Sequence, residues 1–176
     1  MQFSMFHNLK YLRSGSEIQR RSYVLLKDHQ VFEKLKEFNP ILIGTIPINI
    51  AVEESDLDIA CEVYDLIEFE RKCQERFGNH KEYAFKIKTV REKEVGIANF
   101  KIVDMPIEIY AESRPVFDQN GYRHMIIEHK ILEYFGLKFR EEIIKLKSRG
   151  LKTEPSFSKL LNLAGDPYES LLSYNI

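Results

Sequence analysis

Two aspartates separated by one apolar residue, Asp56-Leu57-Asp58, are the stretch of this sequence best suited to chemistry. If Leu57 to Cys61 is a strand, side chains alternate, so Asp56 and Asp58 share one face and Leu57 and Ile59 the other. Carboxylates so placed repel each other unless a cation lies between them. Mg²⁺ suits that position, since it takes one or two protein carboxylates and leaves sites for water and phosphate oxygens. From Pro40 to Glu70 the chain carries eight acids and no Lys, Arg or His, although its net charge over 176 residues is only −1. Just upstream, Ile41-Leu42-Ile43-Gly44-Thr45 is an apolar run ending in a glycine and a hydroxyl. A glycine at a strand end lets a phosphate approach the backbone, and Thr45 can add a donor. Ser55 with its acids could instead open a helix. The strand-like run Ile59 to Val63 and the separate helix start at Asp65 favour the strand.

Glu108, in Pro106-Ile107-Glu108-Ile109-Tyr110, is an acid flanked by apolar residues on a short strand. Such an acid is costly in a core and sensible in a site. Asp104 and Glu112 are its rivals, one in a turn and one at the strand end. Tyr122-Arg123-His124 falls in the first turn of a long helix, where backbone amides and Arg123 can receive a phosphate. Arg123 could equally pair with Glu128 or Glu108. Lys86 and Lys88 share the wet face of a strand and read as solvated.

Gly44-Thr45, ten intervening residues and Asp56-Leu57-Asp58-Ile59 resemble the signature of the nucleotidyltransferase superfamily. More narrowly, GTIPI, SDLDIACE, PIEIY, YRHMIIEHKIL, LKTEPSF and LLNLAGDPY resemble DUF4269, a family of bacterial proteins placed in that superfamily, over roughly residues 20 to 172. The resemblance implies an α+β, nucleotidyltransferase-like mixed sheet flanked by helices, with a helical C-terminal part. It implies that Asp56, Asp58 and Glu108 are catalytic and hold Mg²⁺ or Mn²⁺. Gly44, Thr45, Ser55 and Arg123 would bind the nucleotide. The implied reaction moves a nucleotidyl group from an NTP to a hydroxyl of an unidentified acceptor and releases pyrophosphate. In one respect the chain departs from the pattern: Ile46-Pro47-Ile48 follows Gly44-Thr45, and no Lys or Arg occurs before Arg71. A triphosphate must then be neutralised by metal and by residues from elsewhere, such as Arg123. The alternatives are a non-catalytic nucleotide- or partner-binding module of the same fold, and a metal-dependent phosphohydrolase using the same acids with water.

The elements that must position these residues follow from the apolar periodicity. Hydrophobic residues at 44% and charged residues at 30% are ordinary globular values. The length fits one domain, with a core over about residues 16–135 and a helical extension over about 136–176. The charge balance gives no general drive toward nucleic acid or membrane. With no signal-peptide pattern and no long apolar run, the expectation is a cytoplasmic, soluble protein. Cys61 and Cys73 read as reduced, buried thiols.

Phe3, Phe6, Leu9 and Leu12 suggest a short amphipathic helix or docking arm. Ser16 should cap a helix to Leu26 and Asp28 the next one, which ends at Asn39-Pro40. Strands are expected over 42–44 and 57–63, with a short helical segment in the turn between them. A helix from Asp65 to Gly78 follows, then strands over 82–90, 95–103 and 106–110. Helices should then run from Asn120 or Asp118 to Gly136, through Phe139 to Gly150, from Thr153 to a stop at Gly165, and onward from Asp166-Pro167.

Overall fold

The computed structural model describes residues 4–176. Phe3 lies outside them. The start of the described chain is two 3₁₀ turns, Ser4–His7 and Lys10–Ser14, rather than one helix, and it buries Phe6, Leu9 and Leu12. Helix α1 spans Glu17–Asp28, and Gln19 reaches back to accept from the Ser16 amide at 3.0 Å. Asp28 caps nothing, because α1 continues through it. The next helix, α2 (Val31–Leu35), starts after Gln30 in a left-handed conformation.

Strand β1 (Ile41–Ile43) leads through a turn to β2 (Leu57–Glu62). Residues Thr45 to Asn49 form turns without the expected helical segment, with Asn49 amide to Ile46 carbonyl at 3.2 Å and Ile50 amide to Thr45 carbonyl at 3.1 Å. Pro47 removes one amide there and Asn49 adopts positive φ, so no helical ladder can start. Asp65 caps α3 (Leu66–Phe77) by accepting from the Ile67 and Glu68 amides at 3.1 and 3.0 Å.

Strands β3 (Lys81–Val90) and β4 (Lys93–Ile102) form a hairpin closed by Arg91-Glu92, both at positive φ, as a two-residue turn of the right twist requires. Strand β5 (Met105–Glu112) completes the sheet in the order β1-β2-β5-β4-β3, and only β2 and β5 run parallel. Four helices follow: α4 (Asn120–Phe135), α5 (Leu137–Lys147), α6 (Thr153–Leu161) and α7 (Pro167–Leu172). Asn162 in the left-handed region ends α6, ahead of Gly165. Asp166 caps α7, accepting from the Tyr168 and Glu169 amides at 3.0 Å each.

Strand alternation divides the sheet into two faces with different partners. Leu57, Ile59, Cys61, Ile107 and Ile109 pack with Leu26, Val31, Phe69, Cys73 and Phe77 of α1, α2 and α3. On the opposite face Ile41, Ile43 and Ala60 pack with Met125, Ile131, Ile143, Phe157 and Leu171 of α4 to α7. Both cysteines are free and buried. Among the described residues no helix is long and apolar enough to cross a membrane.

Candidate active site

The second face is where acids enter the sheet. Because Leu57 and Ile59 fill the first core, Asp58 between them must turn to the other side, and Glu108 between Ile107 and Ile109 does the same. The register sets Ile43, Asp58, Glu108 and Asn99 in one row across β1, β2, β5 and β4. Asp58 and Glu108 are thus direct neighbours on parallel strands, whose axes lie about 4.8 Å apart. Both line a cavity of about 660 Å³ whose floor is this sheet face and whose wall includes Gln119, Gly121 and His124 of the α4 entry. Glu154 of α6 and Tyr168 of α7 lie across from the floor. An ion pair at 2.6 Å between Arg91 and Glu169 ties the β3–β4 turn to α7.

Gly44 ends β1 with φ +80°, and a Cβ there would lie 2.5 Å from Asp58 Oδ2. The glycine is therefore needed twice, for its backbone conformation and for the space beside the carboxylate. Gly44→Ala is expected to destabilise the fold by about 1–2 kcal/mol and to displace the Asp58 carboxylate. Denaturant melts read the first effect. A variant as stable as the wild type would mean that the turn relaxes freely.

Burial, then repulsion from Asp56 and Glu108, pushes the Asp58 carboxyl up to about 8, with Lys147 pulling the other way. Burial, then Asp56, also raises Glu108, opposed by Lys88 and Lys86. Asp56 precedes β2, half-buried, and acts on both. Lysines thus act on these acids from a distance, but among the described residues none of the three forms an ion pair within 4.0 Å. Glu112, by contrast, is buried against Arg114 at 2.7 Å and Lys93 at 3.9 Å. Asp104 lies in the β4–β5 turn and lines a different groove. Of Glu108 and its rivals Asp104 and Glu112, only Glu108 stands beside Asp58.

Among the described residues no three His, Cys, Asp or Glu side chains close into a ready-made metal cage. The donor chemistry at Asp56, Asp58 and Glu108 nevertheless fits a hard dication: all donors are carboxylate oxygens, and two of them are neighbours in one row.

The remaining expected residues are placed differently. Thr45 Oγ1 donates to Ser55 Oγ at 3.4 Å, and Ser55 Oγ also accepts from the Val52 amide at 2.9 Å, so these hydroxyls fasten the two ends of the turn together. Arg123 is exposed, donates to Asn120 Oδ1 at 3.3 Å, and does not line the cavity. The cations that do line it are Arg91, Lys93 and Arg114. His124 is buried, with Nε2 3.0 Å from the Tyr168 carbonyl and Nδ1 3.9 Å from Glu154. The Lys152-Thr153-Glu154-Pro155 segment provides no side-chain cap for α6, and its Glu154 faces the cavity instead.

Behind the acids, Glu128, which the sequence suggests only as a partner for Arg123, and Lys147, which it does not single out, are both buried. A signal existed for each: Arg140, Ile143 and Lys147 fall on one stripe of α5, and Glu128 sits in the apolar stripe of Met125, Ile131 and Leu132. Burial raises the Glu128 carboxyl to about 8, with Glu154 adding and Lys147 opposing, and its Oε1 has no partner. A folded-state value above the unfolded one means that the native state holds the proton longer. Stability is then greatest below about 4.5 and is lost as pH rises toward 8. Glu128→Gln is expected to flatten this profile and to gain on the order of 2 kcal/mol at pH 8. Urea melts at pH 5 and pH 8 check it; an unchanged slope would mean an ionised Glu128 paired with Lys147.

A mixed sheet with this order, helices on both faces and acids from two parallel neighbours defines a nucleotidyltransferase fold. Solved structures agree. The GLD-2/RNP-8 complex superposes with TM-score 0.54 at 13% identity, covering 91% of this chain and 62% of that one. The Cid1 poly(U) polymerase with MgGTP bound gives 0.55 at 8%, covering 83% and 47%. Cid1 in complex with the UTP analog UMPNPP gives 0.51 at 10%, covering 83% and 45%. The chain thus spans roughly half to three-fifths of these relatives, and at such identities the likeness is one of fold. No curated protein matches the sequence. The model of the domain of unknown function DUF4269 matches residues 24–174, and the chain belongs to that family.

Proposed function

We propose that this chain is a Mg²⁺- or Mn²⁺-dependent nucleotidyltransferase that moves a nucleotidyl group from an NTP to a hydroxyl of an acceptor. The observation that carries the reading is the side-by-side placement of Asp58 and Glu108 on parallel strands, both lining the cavity, with Gly44 close against Asp58. Asp56, Asp58 and Glu108 would hold the metal, which when bound supplies charge neutralisation at the phosphates. The missing side chain at Gly44 lets the Asp58 carboxylate come close to the backbone of the turn. Glu108 would accept the proton of the acceptor hydroxyl, and its raised pKa brings it nearer the range where a base works at neutral pH. The acceptor oxygen attacks the α-phosphorus, a new O–P bond forms, and pyrophosphate leaves with the electrons of the broken one.

Binding of MgGTP and of a UTP analog by proteins of the same fold supports an NTP as donor. The C-terminal helices of the extension, about 136–176, supply part of the cavity wall to the core of about 16–135, as in one domain, and an NTP-dependent reaction suits the cytoplasm. With Arg123 directed away, Arg91, Lys93 and Arg114 are the cations available to the substrates in the cavity. The test is a screen of labelled NTPs with Mg²⁺ or Mn²⁺ and candidate acceptors, read as pyrophosphate release. Metal-dependent NTP binding without release under any acceptor would favour a binding module, and release of phosphate with water alone a phosphohydrolase.

A further inference from the structure

Beyond Glu108 the floor of the cavity changes character. Alternation along β5 puts Tyr110 and Glu112 on the face that carries Glu108, at about 6–7 Å per step. Tyr110 is half-buried and lines the cavity. Burial, then Glu112, raises its phenol, and Arg114 is the main charge opposing them. The cations of the cavity gather past this ring: Lys93 opens β4, Arg91 closes the hairpin and Arg114 follows β5. Arg91 is already paired with Glu169.

Arg114 is the most firmly placed of the three. Its amide donates to the Glu112 carbonyl at 2.9 Å, and its own carbonyl accepts from Gln119 Nε2 at 3.1 Å. Gln119 Nε2 also donates to the Cys61 carbonyl at 2.9 Å, which ties this corner to the end of β2. Arg114 Nε lies 2.7 Å from Glu112 Oε1 but off the line of a hydrogen bond, so the guanidinium is held by charge. Glu112 can neutralise only one of Arg114 and Lys93, the latter 3.9 Å away, and leaves the other charge for a ligand. Across the hairpin, Lys86 stands opposite Ile97 and Lys88 opposite Val95. Both exposed lysines therefore share the face of Glu108 and oppose the rise of its carboxyl. The site thus has two poles, acids where β2 and β5 begin and cations where β5 ends and the hairpin turns.

In an in-line displacement the attacking oxygen and the leaving pyrophosphate lie on opposite sides of the α-phosphorus. Glu108, as the group that takes the hydroxyl proton, marks the acceptor's side. The cationic pole lies past Glu108 and away from β1, so it stands with the acceptor and not with the leaving group. We propose that the acceptor is a small molecule carrying a phosphate or carboxylate, with its hydroxyl at Glu108, its body across Tyr110 and its anionic group received by Arg114 and Lys93. The proposal rests on the nucleotidyltransferase reading of the site. A cavity of about 660 Å³ has the size of a small-molecule site. The net charge of −1 gives no general drive toward a nucleic acid.

Calorimetric titration of the full chain with glucose, glucose 6-phosphate and glucuronate tests it, since the three share one ring and differ in charge. The wild type should bind at least one of the anionic sugars on the order of tenfold more tightly than glucose. Which of them it prefers tells phosphate from carboxylate. Lys93→Ala and Arg114→Gln should each remove most of that preference while leaving affinity for non-hydrolysable NTP analogues with Mg²⁺ within a few-fold. The Lys93 side chain is half-exposed, so Lys93→Ala reads the result even if Arg114→Gln, which strands the buried Glu112, fails to fold. Binding of all three sugars alike, or of none, overturns the anionic acceptor. NTP-analogue affinity that falls in step with sugar affinity hands the cations to the triphosphate and overturns it as well. A single-stranded oligonucleotide that binds more tightly than either anionic sugar, through the same Lys93, overturns the small-molecule class. A wild type that binds no NTP analogue removes the nucleotidyltransferase reading instead, while the preference among the sugars still reports whether the cationic pole receives an anion.

Discussion

Glu108→Gln is expected to lower turnover by about 10²-fold or more while leaving NTP affinity within a few-fold, the span a positioned general base contributes. The substitution keeps the size of the side chain and its place in the row between Asp58 and Asn99. It removes the charge that would share the metal and receive the acceptor proton. Because burial and Asp56 already raise this carboxyl, the neutral amide is well tolerated by the fold, and the melting temperature should be preserved. Single-turnover pyrophosphate release, set against equilibrium binding of the same NTP, separates the two effects. Undiminished turnover would pass the third-acid role to another residue. Glu112 would be a poor heir, as its charge is taken up by Arg114 and Lys93.

Asp58→Asn should act more strongly, reducing metal-dependent turnover by about 10²–10³-fold or beyond, as expected when a preorganised charge at the reacting phosphate is lost. Asp58 is repelled by both Asp56 and Glu108, so the asparagine relieves strain in the metal-free protein instead of creating it. In the presence of chelator the variant should melt at or above the wild-type temperature. Adding Mn²⁺ should raise the wild-type melting temperature and leave the variant unmoved, since only a ligand that binds the native state shifts stability. An unfolded Asp58→Asn protein would make this aspartate a structural residue and withdraw the metal assignment.

Much of the fold was legible because its strongest signals are local. Asp65 and Asp166 carry their helix caps in two or three residues, and the alternation around Leu57 and Ile107 fixes which side chains meet the core. The same alternation sets Asp58 opposite Leu57 and Ile59, and Glu108 opposite Ile107 and Ile109, without saying that the two strands pair. Where competing signals were close together the sequence misled: Asp28 looks like a cap but has the better role of extending α1, and Asn162 stops α6 before Gly165 is reached. The turn from Thr45 to Ile50 was unreadable for a different reason. Its shape depends on Gln19, Arg140 and Lys147, and although Arg140 and Lys147 share a stripe of α5 with Ile143, nothing local says that they reach this turn. The cations of the cavity share that difficulty. Arg91 and Arg114 are chosen over Arg123 by the packing of the hairpin and the C-terminal helices, which is a tertiary decision.

The parallel pairing of β2 with β5 also has a consequence for how the chain reaches this state. Strands β3, β4 and β5 are joined by tight turns and can pair soon after they meet, whereas β2 reaches β5 only by closing a loop over residues 63–104. Contacts of that sequence separation tend to form late. On that ordering the two carboxylates at 58 and 108 meet when β2 docks on the β3–β4–β5 strands, and their repulsion bears on that step. The repulsion between 58 and 108, unlike that within the Asp56-Leu57-Asp58 run, therefore arises only when these two strands meet.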